Sequence, residues 1–295
     1  MIKKIIRLSL YVFFIILVAV FYHSYSARAV YVNLYKDIDT ELSDICDKLP
    51  FQVSYLIQDL KYKDITAVRL PDRPMPAASI IKLPLLGSVF KAIDEGKISL
   101  SDSFLINRKD ITGGSGVLKA KKLPVELKLE ELLELMIAFS DNSATNKVIN
   151  ILGREYIADS FKYLGFNDSI LARDMMDFSS RRKGIENYTT VNDVSKVLQL
   201  LYGHALVRND LSDFAIEILK KQKVRDRIPK YLPNMPIAHK TGLERSVVHD
   251  AGIVFSPEGD YLICVFTHKF KTYKEAKEAI AQISNIVYEL YKERL

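Results

Sequence analysis

The chain has 295 residues, 48% hydrophobic and 26% charged, which is ample for a sizeable core in one large domain or two intimate ones. Its net charge of +6 suits an anionic partner such as a cell envelope or an acidic substrate, while the absence of an aromatic-studded basic stripe or zinc-finger spacing argues against nucleic acid. Two cysteines, Cys46 and Cys264, are too few for a disulfide framework, and five histidines without ligand spacing predict no metal and no cofactor.

At the N-terminus Lys3, Lys4 and Arg7 precede the uncharged run Leu8 to Tyr22 and then small residues at Ala27 and Ala29. That order fits a secretory signal over 1–29, or an uncleaved anchor if the run borrows flanking residues, and either reading exports the remainder. Next, Asp37 to Lys48 has helical spacing and is stopped by Pro50. "FQVSYLIQDL" and "DITAVRL" alternate like strands, with Cys46 just before them in apolar surroundings. Ser79 to Glu95 reads as a helix ended by Gly96.

The middle third is mostly helical, from "KLEELLELMIAFS" through "SATNKVINILG" and "EYIADSFKYLG" to "VNDVSKVLQLLYG" and "DLSDFAIEILKKQ". Ala172 to Tyr188 lacks periodicity and reads as a long irregular loop, a kind of segment that tends to be functional. The last third returns to strands: "MPIAHKTG", then two more around a Pro-Glu-Gly-Asp turn, with Cys264 in an apolar strand, and a final helix from Tyr273 to Glu293. Strands at both ends around a helical middle predict one sheet built from both termini, with a sheet lobe at about 37–78 and 235–295 and a helical lobe at about 79–234.

Ser-x-x-Lys occurs three times, at Ser79–Lys82, Ser88–Lys91 and Ser180–Lys183, so the pattern alone carries little. Only the first pair follows a proline-rich loop, "PDRPMPAA", so that Ser79 sits where loop becomes helix. Unpaired backbone amides and the positive end of the helix dipole converge there, a setting that activates a nucleophile and stabilises an oxyanion. Lys82, in the same apolar first turn, would lose basicity by desolvation and so be able to take the serine's proton. Two further triplets occur once each: Ser140-Asp141-Asn142 between two helices and Lys240-Thr241-Gly242 at a strand end. Each has a plain structural use, as a helix N-cap or a strand entering a turn. All three together, each at the junction its role requires, point to acyl transfer through a serine.

"ASIIKLPLL", "GGSGVL", "LKLEELLELMIAFSDNSATNKVINILG" and "AHKTG" resemble the class A β-lactamase-like serine hydrolases, from about residue 37 to the C-terminus. The resemblance implies an α/β (α+β) fold, an antiparallel sheet flanked by helices plus an all-helical lobe, with the site between them. It makes Ser79 the nucleophile, Lys82 its base partner and Ser140 a proton relay to the leaving nitrogen. Asn142 would hold the substrate amide, Lys240, Thr241 and Gly242 would bind the substrate carboxylate, and backbone amides of Ser79 and Leu243 would form the oxyanion hole.

The sequence departs from that family in two places. The Glu-x-x-Leu-Asn element that activates the deacylating water is absent from "ARDMMDFSSRRKGIENYTT", leaving Asp174 or Asp177 as candidates, Glu186 more distantly, against simple salt bridging with Arg173, Arg181 or Arg182. The usual arginine for the substrate carboxylate is replaced by a choice of Arg245 and His249, the latter expected as a strand-surface residue. The reading is an exported, secreted or membrane-anchored, monomeric serine hydrolase that is acylated by β-lactams and hydrolyses them. A D-Ala-D-Ala carboxypeptidase or transpeptidase acting on peptidoglycan stem peptides is the alternative, and an acylated or ligand-binding sensor without turnover the third.

Overall fold

The computed structural model describes residues 2–295, with side chains from residue 13 onward except those of 15, 19, 21, 23 and 24. One helix, α1 (Ile2–Lys48), runs from the leader into the body of the protein. The helix expected from Asp37 thus begins far earlier, because no glycine or proline interrupts the chain before Pro50. The run Leu8 to Tyr22 lies partly outside the described side chains; Phe13, Phe14, Ile16, Leu17, Val18 and Val20 within it are exposed. Among the described residues no helix is long and apolar enough to cross a membrane.

Strands β1 (Gln52–Asp59) and β2 (Thr66–Arg69) follow, then the short β3 (Met75–Pro76), a 3₁₀ turn at Ala78–Ile81 and α2 (Lys82–Asp94). A small hairpin of β4 (Ser103–Ile106) and β5 (Val125–Lys128), not foreseen in the sequence, leads to α3 (Leu129–Ala138), α4 (Asn142–Leu152) and α5 (Arg154–Leu164). The 172–188 segment is less irregular than its sequence suggests. It contains a five-residue helix, α6 (Phe178–Arg182), and ends in β6 (Tyr188–Thr189), which pairs with β3. Helices α7 (Val191–Tyr202) and α8 (Asn209–Lys220) complete the helical lobe. Strands β7 (Ile237–Glu244), β8 (Val247–Val254) and β9 (Tyr261–His268) and the last helix α9 (Tyr273–Arg294) return to the sheet.

The five-stranded sheet has the order β2-β1-β9-β8-β7 and is antiparallel throughout, with β1 from one end of the chain hydrogen-bonded to β9 from the other. All eight residues of β8 are buried, and seven of the eight in β1, because both faces of the sheet are covered. On one face Leu34, Tyr35, Ile38 and Leu42 of α1 share a core with Ile280, Ile283 and Tyr291 of α9. On the other, Leu56, Cys264 and Phe266 join the core of the helical lobe around α2. Cys46 and Cys264 are buried free thiols. The edge strand β7 is left beside the 3₁₀ turn that carries Ser79, so the site forms where sheet and helical lobe meet.

Candidate active site

Ser79 does not lie in the α-helix proper, as its sequence suggests, but in the 3₁₀ turn before it, and Lys82 is the first residue of α2. No side chain caps the amides of this turn, and Ala78 holds φ at 46°, a left-handed value rarely adopted by non-glycine residues. Its position is fixed from behind: the Ala77 N–H donates to Asn187 O at 2.8 Å, and His249 Nε2 is 2.9 Å from Pro76 O. Gly242 of β7 lets the strand approach closely, since a Cβ there would meet Ile80 Cγ1 at 3.0 Å and Ala77 O at 3.4 Å.

Lys82 is completely buried, and its Nζ has three acceptors: Ser140 O at 2.7 Å, Ser140 Oγ at 3.1 Å and Asn142 Oδ1 at 3.1 Å. Lys240 is equally buried and donates to Ser140 Oγ at 3.1 Å and to Thr241 O at 2.9 Å. Burial, then the neighbouring Lys240 charge, holds Lys82 well below the ordinary lysine range. Burial also brings Lys240 down to about 7, with Asp250 opposing and Arg227 assisting the fall. Two lysines that cannot easily both be charged therefore share one hydroxyl, an arrangement able to accept a proton on one side and deliver one on the other.

The Ser-Asp-Asn triplet has both of its uses at once. Asp141 N-caps α4, its Oδ1 accepting from Ala144 N at 3.0 Å, while Oδ2 accepts from the amides of Val117 and Leu118 at 2.6 and 2.8 Å. Asn142 donates to Gly113 O at 3.0 Å, so the Gly-Gly-Ser-Gly loop is latched onto the start of α4. Ser140, directly before them, sits at φ 53°. Two strained non-glycine residues, Ala78 and Ser140, thus flank the same site, as is common where backbone geometry serves function.

Ser79, Asn142 and Leu243 line a cleft of about 880 Å³ together with Met175, Met176 and Phe178 of the 172–188 segment. The structure gives the other sequence candidates different surroundings. Asp174 is ion-paired with Arg154, and Asp177 caps α6 by accepting from Ser180 N at 3.0 Å, an interaction that lowers its pKa; neither lines the cleft. Glu186 is bound to Arg173 at 2.7 Å and Arg181 at 3.2 Å. His249, expected at the strand surface more than as a carboxylate ligand, is fully buried instead. Its Nδ1 accepts from Thr267 N at 3.3 Å, and burial lowers its pKa to about 4, so it is a neutral tie between β8 and β3. Arg245, in the β7–β8 turn, does line the cleft. Among the described residues no His, Cys, Asp and Glu side chains gather into a metal site.

Sequence reasoning missed the parts that hold the loop. Asn146 brackets Met175, accepting from its N–H at 2.8 Å and donating to its carbonyl at 3.2 Å. Asn187 accepts from Ala172 and Arg173 amides at 2.8 and 2.9 Å. Glu244, directly after the Lys-Thr-Gly-Leu run, accepts from Arg173 at 2.9 Å and Arg181 at 2.8 Å, clasping the loop to the end of β7. The one carboxylate of that strand is the only sequence signal such a clasp leaves.

Comparison with known proteins agrees with this geometry. The chain matches the model of the beta-lactamase enzyme family over residues 35–291. It is 29% identical to a beta-lactamase from Sphaerobacter thermophilus DSM 20745, which superposes with a TM-score of 0.79 over 86% of this chain and 96% of that one. A mutant of PBP-A, solved as an acyl-enzyme complex with penicillin G, is 26% identical with a TM-score of 0.78 over 88% and 97% of the two chains. The extended-spectrum beta-lactamase PER-1 of Pseudomonas aeruginosa is 23% identical over 244 residues, 76% of this chain and 78% of that protein. With its antiparallel sheet, helical lobe and intervening serine-bearing cleft, the chain belongs to the beta-lactamase enzyme family, as a class A β-lactamase-like serine hydrolase.

Proposed function

We propose that the protein is acylated at Ser79 by β-lactams and hydrolyses them. The observation that carries this reading is the single hydroxyl, Ser140 Oγ, 3.1 Å from both buried amines, Lys82 and Lys240, beside a cleft that Ser79 lines. In this reading neutral Lys82 takes the proton of Ser79 as its oxygen attacks the lactam carbonyl, and the oxyanion is met by the backbone amides of Ser79 and Leu243. As the C–N bond breaks, Ser140 hands a proton to the leaving nitrogen and is resupplied by a lysine. Lys240 and Thr241 hold the substrate carboxylate, with Gly242 keeping the strand close enough, and Asn142 orients the amide. The neighbour solved with penicillin G supports β-lactams as acylating agents.

The D-Ala-D-Ala peptidase reading has one specific observation in its favour. The loop side of the cleft presents Met175, Met176 and Phe178, and the only carboxylate among the cleft-lining described residues is Glu244, which is held by two arginines. No carboxylate there is free to activate water, which would favour a long-lived penicillin adduct. As for location, the basic leader and apolar run suit export with the catalytic body outside the membrane, retained by α1 or released by cleavage after Ala29.

Intact-protein mass followed over time with benzylpenicillin, with Ser79→Ala as control, separates the readings. A transient adduct with accumulating hydrolysed drug is the expected result. An adduct lasting hours replaces the β-lactamase reading with a peptidase or a sensor, and no adduct at Ser79 removes the acyl-transfer assignment altogether.

A further inference from the structure

Four arginines line the cleft, Arg173, Arg181, Arg182 and Arg245, and they fall into two unlike pairs. Arg173 and Arg181 are neutralised: Glu186 and Glu244 each contact both of them, at 2.7 to 3.2 Å, and Arg173 is only 3% exposed. Two guanidinium groups and two carboxylates close a network with no charge left over. Arg182 and Arg245 have no carboxylate partner among the described residues.

The cleft lining around this second pair adds no unpaired carboxylate. His268, on the same stretch of wall, is pushed below its ordinary pKa by burial and by the Lys269 and Arg73 charges, so it is neutral at pH 7 while the cations that depress it add to the positive field. Phe178 and Tyr273, each 43% exposed, add aromatic surface to the same cleft. Position along the strand gives the span. Arg245 lies one residue past the end of β7 and five beyond Lys240, so the two backbones are at most about 18 Å apart. That span suits an acyl donor with a charged end on its side chain.

We propose that the end of the cleft walled by Arg182 and Arg245 is a subsite for a second anionic group on the acyl side of the substrate, so that the enzyme prefers dianionic acyl donors. One carboxylate docks at Lys240 and Thr241, the other at the arginine pair, with Phe178 and Tyr273 covering the linker between them. This subsite rests on the Ser79 acyl-transfer reading.

The test compares two penicillins made from 6-aminopenicillanic acid, one acylated with adipate and so ending in a carboxylate, the other ending in the isosteric primary amide. Second-order acylation rates are read by intact mass on the full chain, and the ratio of the two probes is taken within each variant. In the wild type the carboxylate probe should acylate about three- to tenfold faster, the range expected of one or two exposed ion pairs. The advantage should shrink in about 0.5 M salt. It should vanish in Arg182→Ala/Arg245→Ala and return in part in Arg182→Lys/Arg245→Lys. Equal rates for the two probes in the wild type, or a preference that survives the alanine pair, would overturn the subsite while leaving Ser79 acylation standing. If neither probe nor benzylpenicillin modifies Ser79, the acyl-transfer reading fails and the subsite with it.

Discussion

Lys82 and Lys240 donate to one oxygen, Ser140 Oγ, each from 3.1 Å. Both are buried, so the charge on one opposes the charge on the other, and the two amines favour different protonation states.

That opposition predicts the pH profile of acylation. Lys240 should bind a substrate carboxylate only as an ammonium, and with its pKa brought down to about 7 that form is lost as pH rises through neutrality. Lys82 must be neutral to accept a proton, and its depressed pKa extends the neutral form below the usual lysine range. The second-order acylation rate should therefore fall on the alkaline side near pH 7, through weaker binding and not slower chemistry. Lys240→Arg, whose guanidinium remains charged, should lose that limb. An alkaline limb unchanged in the arginine variant would mean that another group titrates. The same shift also has a sign for stability. Between about pH 7 and 10.5 the folded state binds fewer protons at Lys240 than the unfolded one, so this residue's contribution makes the fold more stable as pH rises there.

Gly242 governs the gap between β7 and the 3₁₀ turn that carries Ser79. A methyl group at this position would meet Ile80, whose side chain is fully buried and has nowhere to go. Gly242→Ala should push β7 away from the 3₁₀ turn, with an overpacking cost of about 1–3 kcal/mol. Because Ser79 and Leu243 lie on either side of that contact, acylation should slow by about 100-fold, the scale of a 1 Å misplacement. Melting temperature and acylation rate, measured together, check this; a destabilised variant with an unchanged acylation rate would show that the spacing is not critical.

Most of the scaffold was legible in the sequence because its signals are local. Alternating strands at both ends, the Pro50 stop and the Ser79, Ser140 and Lys240 junctions all announce themselves within a few residues. What escaped depends on partners distant in the chain. Asp174 looks available until Arg154, twenty residues back, is brought to it. His249 looks like a surface histidine until Pro76 and Thr267 close over it. Glu244 gains its role only when the 172–188 loop folds back to β7. A motif reports which groups do chemistry; the ion pairs that hold those groups apart or together are set by tertiary contact.

Glu244 is accordingly a positioning residue worth testing. Arg173 would keep Glu186 in Glu244→Gln but lose half of its charge compensation in a nearly water-free site. Breaking a buried pair from one side costs about 3 kcal/mol, and hydrogen exchange of the 172–188 amides should accelerate with it. Glu244→Asp, which retains the charge, should recover part of the stability. A melting temperature unaffected by Glu244→Gln would show the clasp to be energetically idle.

The lifetime of the acyl-enzyme turns on what the loop offers to water. Met175 lines the cleft at 7% exposure, with its backbone held on both sides by Asn146, so a side chain placed there has a defined direction. Met175→Glu keeps the side-chain length while replacing a thioether with a carboxylate, whose pKa the apolar wall should raise toward that of a useful general base. Burying the carboxylate should destabilise the fold by about 1–3 kcal/mol. Acylation by benzylpenicillin should change little, but decay of the adduct should accelerate by about 100-fold, within the range of general base catalysis. Met176→Glu is the control, because Met176 is 36% exposed, sits at φ 65° and packs its sulfur against Gly114, so its carboxylate would be carried elsewhere. If the Met175 variant's adduct decays no faster than the wild type's, Met175 does not face the acyl carbonyl, and the water must be activated from another wall of the cleft.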